Sequence, residues 1–140
     1  LMTGYLSLLH AVAQQLPEWN VSSIAQRAGI SALQDTEYEK RTRQLIEKER
    51  RYLIQEFLKM GCTVFPSEAD YITFRLPQEK TGFLLKERLL EGKILIRSCA
   101  NYRNMPPDCY RIAVKQHADN EELVRQVWRI LISDSAGKGF

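Results

Sequence analysis

The chain has 140 residues, 44% of them apolar and 26% charged, with a formal net charge of +3. That length suits one globular domain with its own core, and the composition excludes a disordered polar chain. The mild charge lacks the basic excess of a protein held to nucleic acid by many phosphate contacts. No apolar run is long enough for a membrane span, and the amino end does not read as a signal peptide. Neither a nucleic acid nor a membrane is therefore an expected partner.

Residues Met2 to Gln15 have the spacing of a helix, with Leu6, Leu9, Val12 and Ala13 on one face and Gly4 in its first turn. Pro17-Glu-Trp-Asn reads as a connector, with Trp19 packed in the corner between helices. Asn20 is placed to cap a second short helix over Val21 to Ala28, which Gly29 would end. Asp35 or Thr36 begins the longest helix, reaching about Met60. Tyr38, Thr42, Leu45, Ile46, Leu53, Phe57 and Met60 form its apolar stripe. Glu37 with Arg41, Glu39 with Arg43, and Glu47 with Arg51 stand four residues apart on its other face. Such pairs contribute about 0.2–0.5 kcal/mol each and mark a solvated surface.

Gly61 ends that helix. Cys62 to Phe65 and Tyr71 to Leu76 read as strands joined through Pro66-Ser67-Glu68, the second alternating with Ile72 and Phe74 on one side. Gln78 to Glu91 has amphipathic spacing, with Gly92 as terminator. Asp119 and Glu122 match a capping box opening a last helix, whose inward stripe is Leu123, Val127 and either Trp128 or Leu131. Ser133 to Phe140 reads as a frayed tail. The expected fold is α+β, a small and mostly antiparallel sheet covered by helices, with residues 1–132 as one domain and 133–140 as tail.

Between these last helices lies the stretch Ile94 to Lys115. Its runs Ile94-Leu95-Ile96 and Ile112-Ala113-Val114 have the length and branching of buried strands. Arg97 closes the first and Arg111 opens the second, while Asn101, Asn104 and Pro106-Pro107 reverse the chain between them. Antiparallel pairing brings both guanidinium forks to one rim of a sheet, suited to a small ligand with two anionic groups. The same arginines, read as surface residues, bind water or a local carboxylate.

Other chemistry is sparse. Cys62, Cys99 and Cys109 are odd in number without a CxxC pair, which points to a reducing, cytoplasmic compartment. Cys62 and Cys109 read as small buried hydrophobes. His10 and His117 share no ligand spacing with them, so no metal is expected. Gly137-Lys-Gly139 follows no strand and makes no phosphate loop, and neither GxSxG nor HExxH occurs.

Several pieces nevertheless carry a resemblance. Pro17-Glu-Trp-Asn-Val-Ser-Ser-Ile-Ala-Gln-Arg-Ala-Gly, Phe65-Pro-Ser-Glu-Ala-Asp-Tyr-Ile, Gly92-Lys-Ile-Leu-Ile-Arg97, Tyr110-Arg111-Ile-Ala-Val and Asn120-Glu-Glu-Leu come in order over roughly Pro17 to Leu131. Together they resemble the carboxyl-terminal small domain of class I/II pyridoxal-phosphate aminotransferases. Within that family the histidinol-phosphate aminotransferase group is closest, and the loop Ile96-Arg97-Ser-Cys-Ala-Asn101-Tyr102 is similar to its threonine-phosphate decarboxylase branch. Asn104 stands where relatives often have glycine, and Asp70 where many have asparagine.

The resemblance implies that Arg111 grips the α-carboxylate of a phosphorylated amino acid and that Arg97 helps hold its phosphate. Asn101 and Tyr102 are then candidate loop contacts. It also implies pyridoxal 5'-phosphate as cofactor of a longer parent, a homodimer. The lysine forming the Schiff base would lie in an amino-terminal large domain missing from this chain. None of the lysines here stands in the matching motif, so the segment alone is expected to be inactive and to bind no cofactor covalently. A different class of function, a stand-alone module for RNA or a regulatory metabolite, would use Tyr71, Tyr102 and Tyr110 as stacking platforms. A purely structural domain is the third reading.

Overall fold

A computed structural model describes residues 5–16, 21–80, 84–106 and 108–133. The expectations for Gly4, Pro17, Trp19, Asn20, Phe83, Pro107 and the end of the tail fall outside these residues. The chain forms two compact units, Leu1–Glu39 and Lys40–Phe140.

The first unit contains α1 (Leu6–Ala13) and α2 (Ser23–Gln34). Ser22, expected inside the helix, instead caps α2 by accepting from the Ala25 amide at 3.2 Å. The helix continues through Gly29 rather than stopping there. A glycine inside a helix costs about 1 kcal/mol, too little to break a capped helix. Neither helix has a buried residue, and Leu6, Ile24 and Leu33 are widely exposed.

Helix α3 (Thr36–Lys59) begins where expected, with Asp35 Oδ1 accepting from the Tyr38 amide at 2.9 Å. Its predicted stripe is buried only in the second half, at Leu53 and Phe57, with Met60 just beyond; Tyr38 and Leu45 are exposed. Glu47 and Arg51 form the expected surface ion pair.

The second unit is built on a four-stranded antiparallel sheet in the order β1-β2-β4-β3, from β1 (Thr63–Val64), β2 (Tyr71–Arg75), β3 (Arg97–Ser98) and β4 (Cys109–Ala113). The alternation read from the sequence holds in β2. Ile72 and Phe74 are buried, and β4 presents Tyr110 and Ile112 to the same core. Helices α3, α4 (Leu85–Glu91) and α5 (His117–Ser133) add Leu53, Phe57, Leu85, Leu89, Leu123 and Val127 to it. Phe57 and Phe74 rings lie 4.3 Å apart, and Phe74 to Tyr110 is 5.9 Å. All three cysteines are buried free thiols, Cys99 included, and burial pushes Cys62 up to about 12.

Four local expectations are corrected. The amphipathic run from Gln78 is a 3-10 turn (Gln78–Lys80) followed by the short α4, so it is not one helix. Helix α5 starts at His117, two residues before the capping box, leaving Asp119 within its first turn. Its inner stripe bears out Leu123, Val127 and, of the two alternatives, Leu131, with Val124 added and Trp128 only partly buried. Ile94–Ile96 is not a strand, since the ladder starts at Arg97. Arg111 accordingly stands in the middle of β4 rather than at its start.

The exit from α4 explains that last shift. Ile94 N–H donates to Leu89 O and Lys93 N–H to Leu90 O, both at 2.9 Å, a Schellman closure. The left-handed residue of this motif is Lys93, at φ 62°, while Gly92 has an ordinary φ of −80°. This closure turns the chain out of the helix just before Ile94. Replacing Lys93 by glycine relieves the left-handed strain at the cost of a floppier unfolded chain. The net gain expected is about 0.5–1 kcal/mol in a denaturant melt; a lower midpoint would show that the lysine side chain stabilises the fold.

Candidate functional site

Arg97 and Arg111 are register partners across the β3–β4 ladder. Directly opposed residues of an antiparallel pair point to the same face, with Cα atoms about 4.5–5.5 Å apart. That face is the one away from the buried Ile72, Phe74 and Ile112. Each guanidinium rests on a tyrosine ring. Arg111 Cζ is 4.8 Å from the Tyr71 centroid and Arg97 Cζ is 5.6 Å from that of Tyr102. Tyr71 is the diagonal neighbour of Arg111, because β2 sets Thr73 opposite it. Neither arginine forms an ion pair among the described residues.

Both arginines and Asn101 line one open cavity of about 1050 Å³. It runs along Ile94–Ile96, ahead of the first β3–β4 pair, and along Ile112, Ala113 and Lys115 at and beyond the end of β4, with α4 and the start of α5 on its other sides. The unpaired segment, expected to be a strand, is therefore part of the site. Tyr102 does not line the cavity but lies beside Arg97. Asn104 has a φ of 63°, the left-handed conformation that glycine adopts most easily and asparagine tolerates better than other side chains. Tyr110, considered above as a stacking platform, is in the core and unavailable to a base.

Sequence reasoning missed the support beneath this site. Glu49, only 1% exposed, reaches from α3 to the β4–α5 junction. Its Oε2 lies 3.0 Å from His117 Nδ1 and accepts from Asn120 Nδ2 at 3.1 Å. Asn120 also donates to Lys115 O at 2.8 Å and accepts from Lys115 N at 3.1 Å through Oδ1. Burial works against the charge on Glu49, but the hydrogen bonds from Asn120 and His117 outweigh it and hold the carboxyl below the usual range. The neighbouring Arg50 donates to Ala69 O at 2.8 Å, just before β2. A glutamate on the inner stripe of α3, in phase with Leu53 and Phe57, was the available signal.

The profile of the aminotransferase class I and II family matches residues 3–127. The chain belongs to that family. It is 36% identical over 119 residues to the threonine-phosphate decarboxylase of Salmonella typhimurium, covering 84% of this chain and 32% of that protein. To the histidinol-phosphate aminotransferase of Oleidesulfovibrio alaskensis it is 34% identical over 115 residues, covering 81% and 30%. The crystal structure of histidinol-phosphate aminotransferase from Clostridium acetobutylicum superposes with a TM-score of 0.75 at 28% identity, over 91% of this chain and 38% of that one. This aminotransferase-family segment thus spans about a third of the length of the curated relatives it matches.

Proposed function

We propose that this segment is the substrate-binding small domain of a cytoplasmic pyridoxal-phosphate enzyme that decarboxylates L-threonine O-3-phosphate, in cobalamin biosynthesis. The observation carrying the proposal is the pair Arg97–Arg111, two forks on one sheet face and one cavity, with no ion-pair partner among the described residues. Arg111 grips the α-carboxylate and Arg97 holds the phosphate, with Asn101 on the cavity wall and Tyr102 positioning Arg97 by its ring. Breaking the carboxylate bond requires that bond to stand roughly perpendicular to the cofactor ring, so a fixed fork on the carboxylate is positional catalysis. When bound, pyridoxal phosphate supplies the electron sink.

The described residues do not by themselves fit that cofactor. The cavity lysines are Lys86, half-buried on α4, and the exposed Lys93 and Lys115, none of them the desolvated amine such chemistry uses. The cofactor and its lysine belong in this reading to an amino-terminal large domain. The exposed apolar side chains of α1 and α2, with Ile24 at 81% and Leu33 at 83%, supply surface for that domain to cover. The parent is a homodimer held mainly through the same domain.

The runner-up is a histidinol-phosphate aminotransferase, supported by relatives of nearly equal identity. L-threonine O-3-phosphate carries a carboxylate and a phosphate on one molecule, one for each fork, and on that ground the decarboxylase is placed first. The test is a product assay on the parent enzyme. Carbon dioxide and a phosphorylated amino alcohol are expected from L-threonine O-3-phosphate. Amino transfer from histidinol phosphate to a 2-oxo acid, without carbon dioxide release, would assign the alternative. The 140-residue segment alone is expected to do neither.

A further inference from the structure

The cavity extends well past the two arginines. Continued beyond the last paired residues, the register that sets Arg97 opposite Arg111 would set Lys93 opposite Lys115. The ladder does not continue that far, and both lysines line the cavity, joined by Lys86 from α4. Four extended residues rise about 13 Å, so the lysines can stand up to that far from the arginines. Three acidic residues share the lining, Asp70, Asp119 and Glu122. Glu122 is engaged by Arg125 and Gln126. Neither Asp70 nor Asp119 pairs with a cavity lysine among the described residues. Lys93 also occupies a left-handed cap position that glycine fills more easily, so the side chain is kept at a conformational cost, facing the cavity.

The geometry points to a second anion locus at the Lys93–Lys115 end, taking a phosphate or carboxylate group distinct from those held by Arg97 and Arg111. This inference rests on the anion-binding reading of the arginine pair. Lysine suits the role as a compact point charge where no planar fork is needed. The anion is either the far end of a long ligand or a separate small ion.

The test is calorimetric titration of the parent holoenzyme with inorganic phosphate and with alkane bisphosphonates of increasing chain length. Two classes of phosphate site are expected. Lys93→Gly and Lys115→Gln should each weaken the second at least tenfold, without changing the first. Bisphosphonate affinity that peaks at a chain long enough to span both ends identifies one bridging ligand. Affinity independent of length identifies a separate ion. Thermal melts run alongside, and if Lys93→Gly lowers the melting temperature, Lys115→Gln decides, since it leaves the α4 cap intact. Titrations of both variants that superpose on wild type overturn the second locus and leave the arginine pair untouched. Loss of the first class on Arg111→Lys, or its absence, reports on the arginine pair alone.

Discussion

Arg111→Ala in the parent enzyme is expected to weaken substrate binding on the order of 10- to 100-fold. A charge-assisted hydrogen bond contributes about 1.5–3 kcal/mol, and each 1.4 kcal/mol is tenfold in affinity. The loss is expected in both the dissociation constant and turnover, because a carboxylate no longer gripped is also no longer oriented. Arg111→Lys keeps the charge but not the fork, so it should recover only part of the affinity. The stacked Tyr71 ring sharpens the comparison. It holds a flat guanidinium at 4.8 Å in a way that a tetrahedral ammonium cannot reproduce. An unchanged dissociation constant for Arg111→Ala would sink the assignment of the carboxylate to this residue. Arg97→Ala separates the two ends. It should cost most with the phosphorylated substrate and little with an unphosphorylated analogue, whereas Arg111→Ala should cost with both.

The largest effect on stability is expected at Glu49. Glu49→Ala removes a buried acceptor that holds Asn120 and His117 together, and the unfolding free energy is expected to fall by roughly 2–4 kcal/mol. His117 is 56% exposed, so water replaces its lost partner cheaply. The greater share of the cost falls on buried Asn120 and the Lys115 backbone it holds. Glu49→Gln keeps the shape and should lose about half as much. The pH dependence has a definite sign. The folded carboxyl is held below its unfolded value, so its stabilisation is present above the unfolded value and is lost as pH falls through the folded one. The stability difference between wild type and Glu49→Gln should therefore shrink as pH falls through the acid carboxylate range. A difference that grew across that carboxylate range would contradict this account. Because the clamp fixes the β4–α5 junction, its loss should also loosen Lys115 and Asn120 on the cavity wall.

The short-range features of the fold were legible because they depend on periodicity. The alternation of Ile72 and Phe74 in β2 and the start of α3 at its Asp35 cap needed no partner to be read. The arginine pair was legible only as a conjecture of antiparallel pairing. The register Arg97↔Arg111 then put both residues on one face. Where the reading failed, a competing local interaction had won. Ser22 took the cap of α2, and the Schellman closure at Lys93 turned the chain away from the expected strand at Ile94–Ile96.

By itself the sequence determined the residue types and their spacing: two arginines flanking a turn, apolar faces of period two and period four, and an order of motifs matching one enzyme family. Only the tertiary structure decided that the segment before Arg97 stays out of the β3–β4 ladder and lines a cavity, and that Glu49 crosses from α3 to hold the far side of that cavity. Both outcomes depend on groups about 20 and 70 positions apart in the chain meeting in space, with burial making an unmet carboxylate or amide too costly to leave alone.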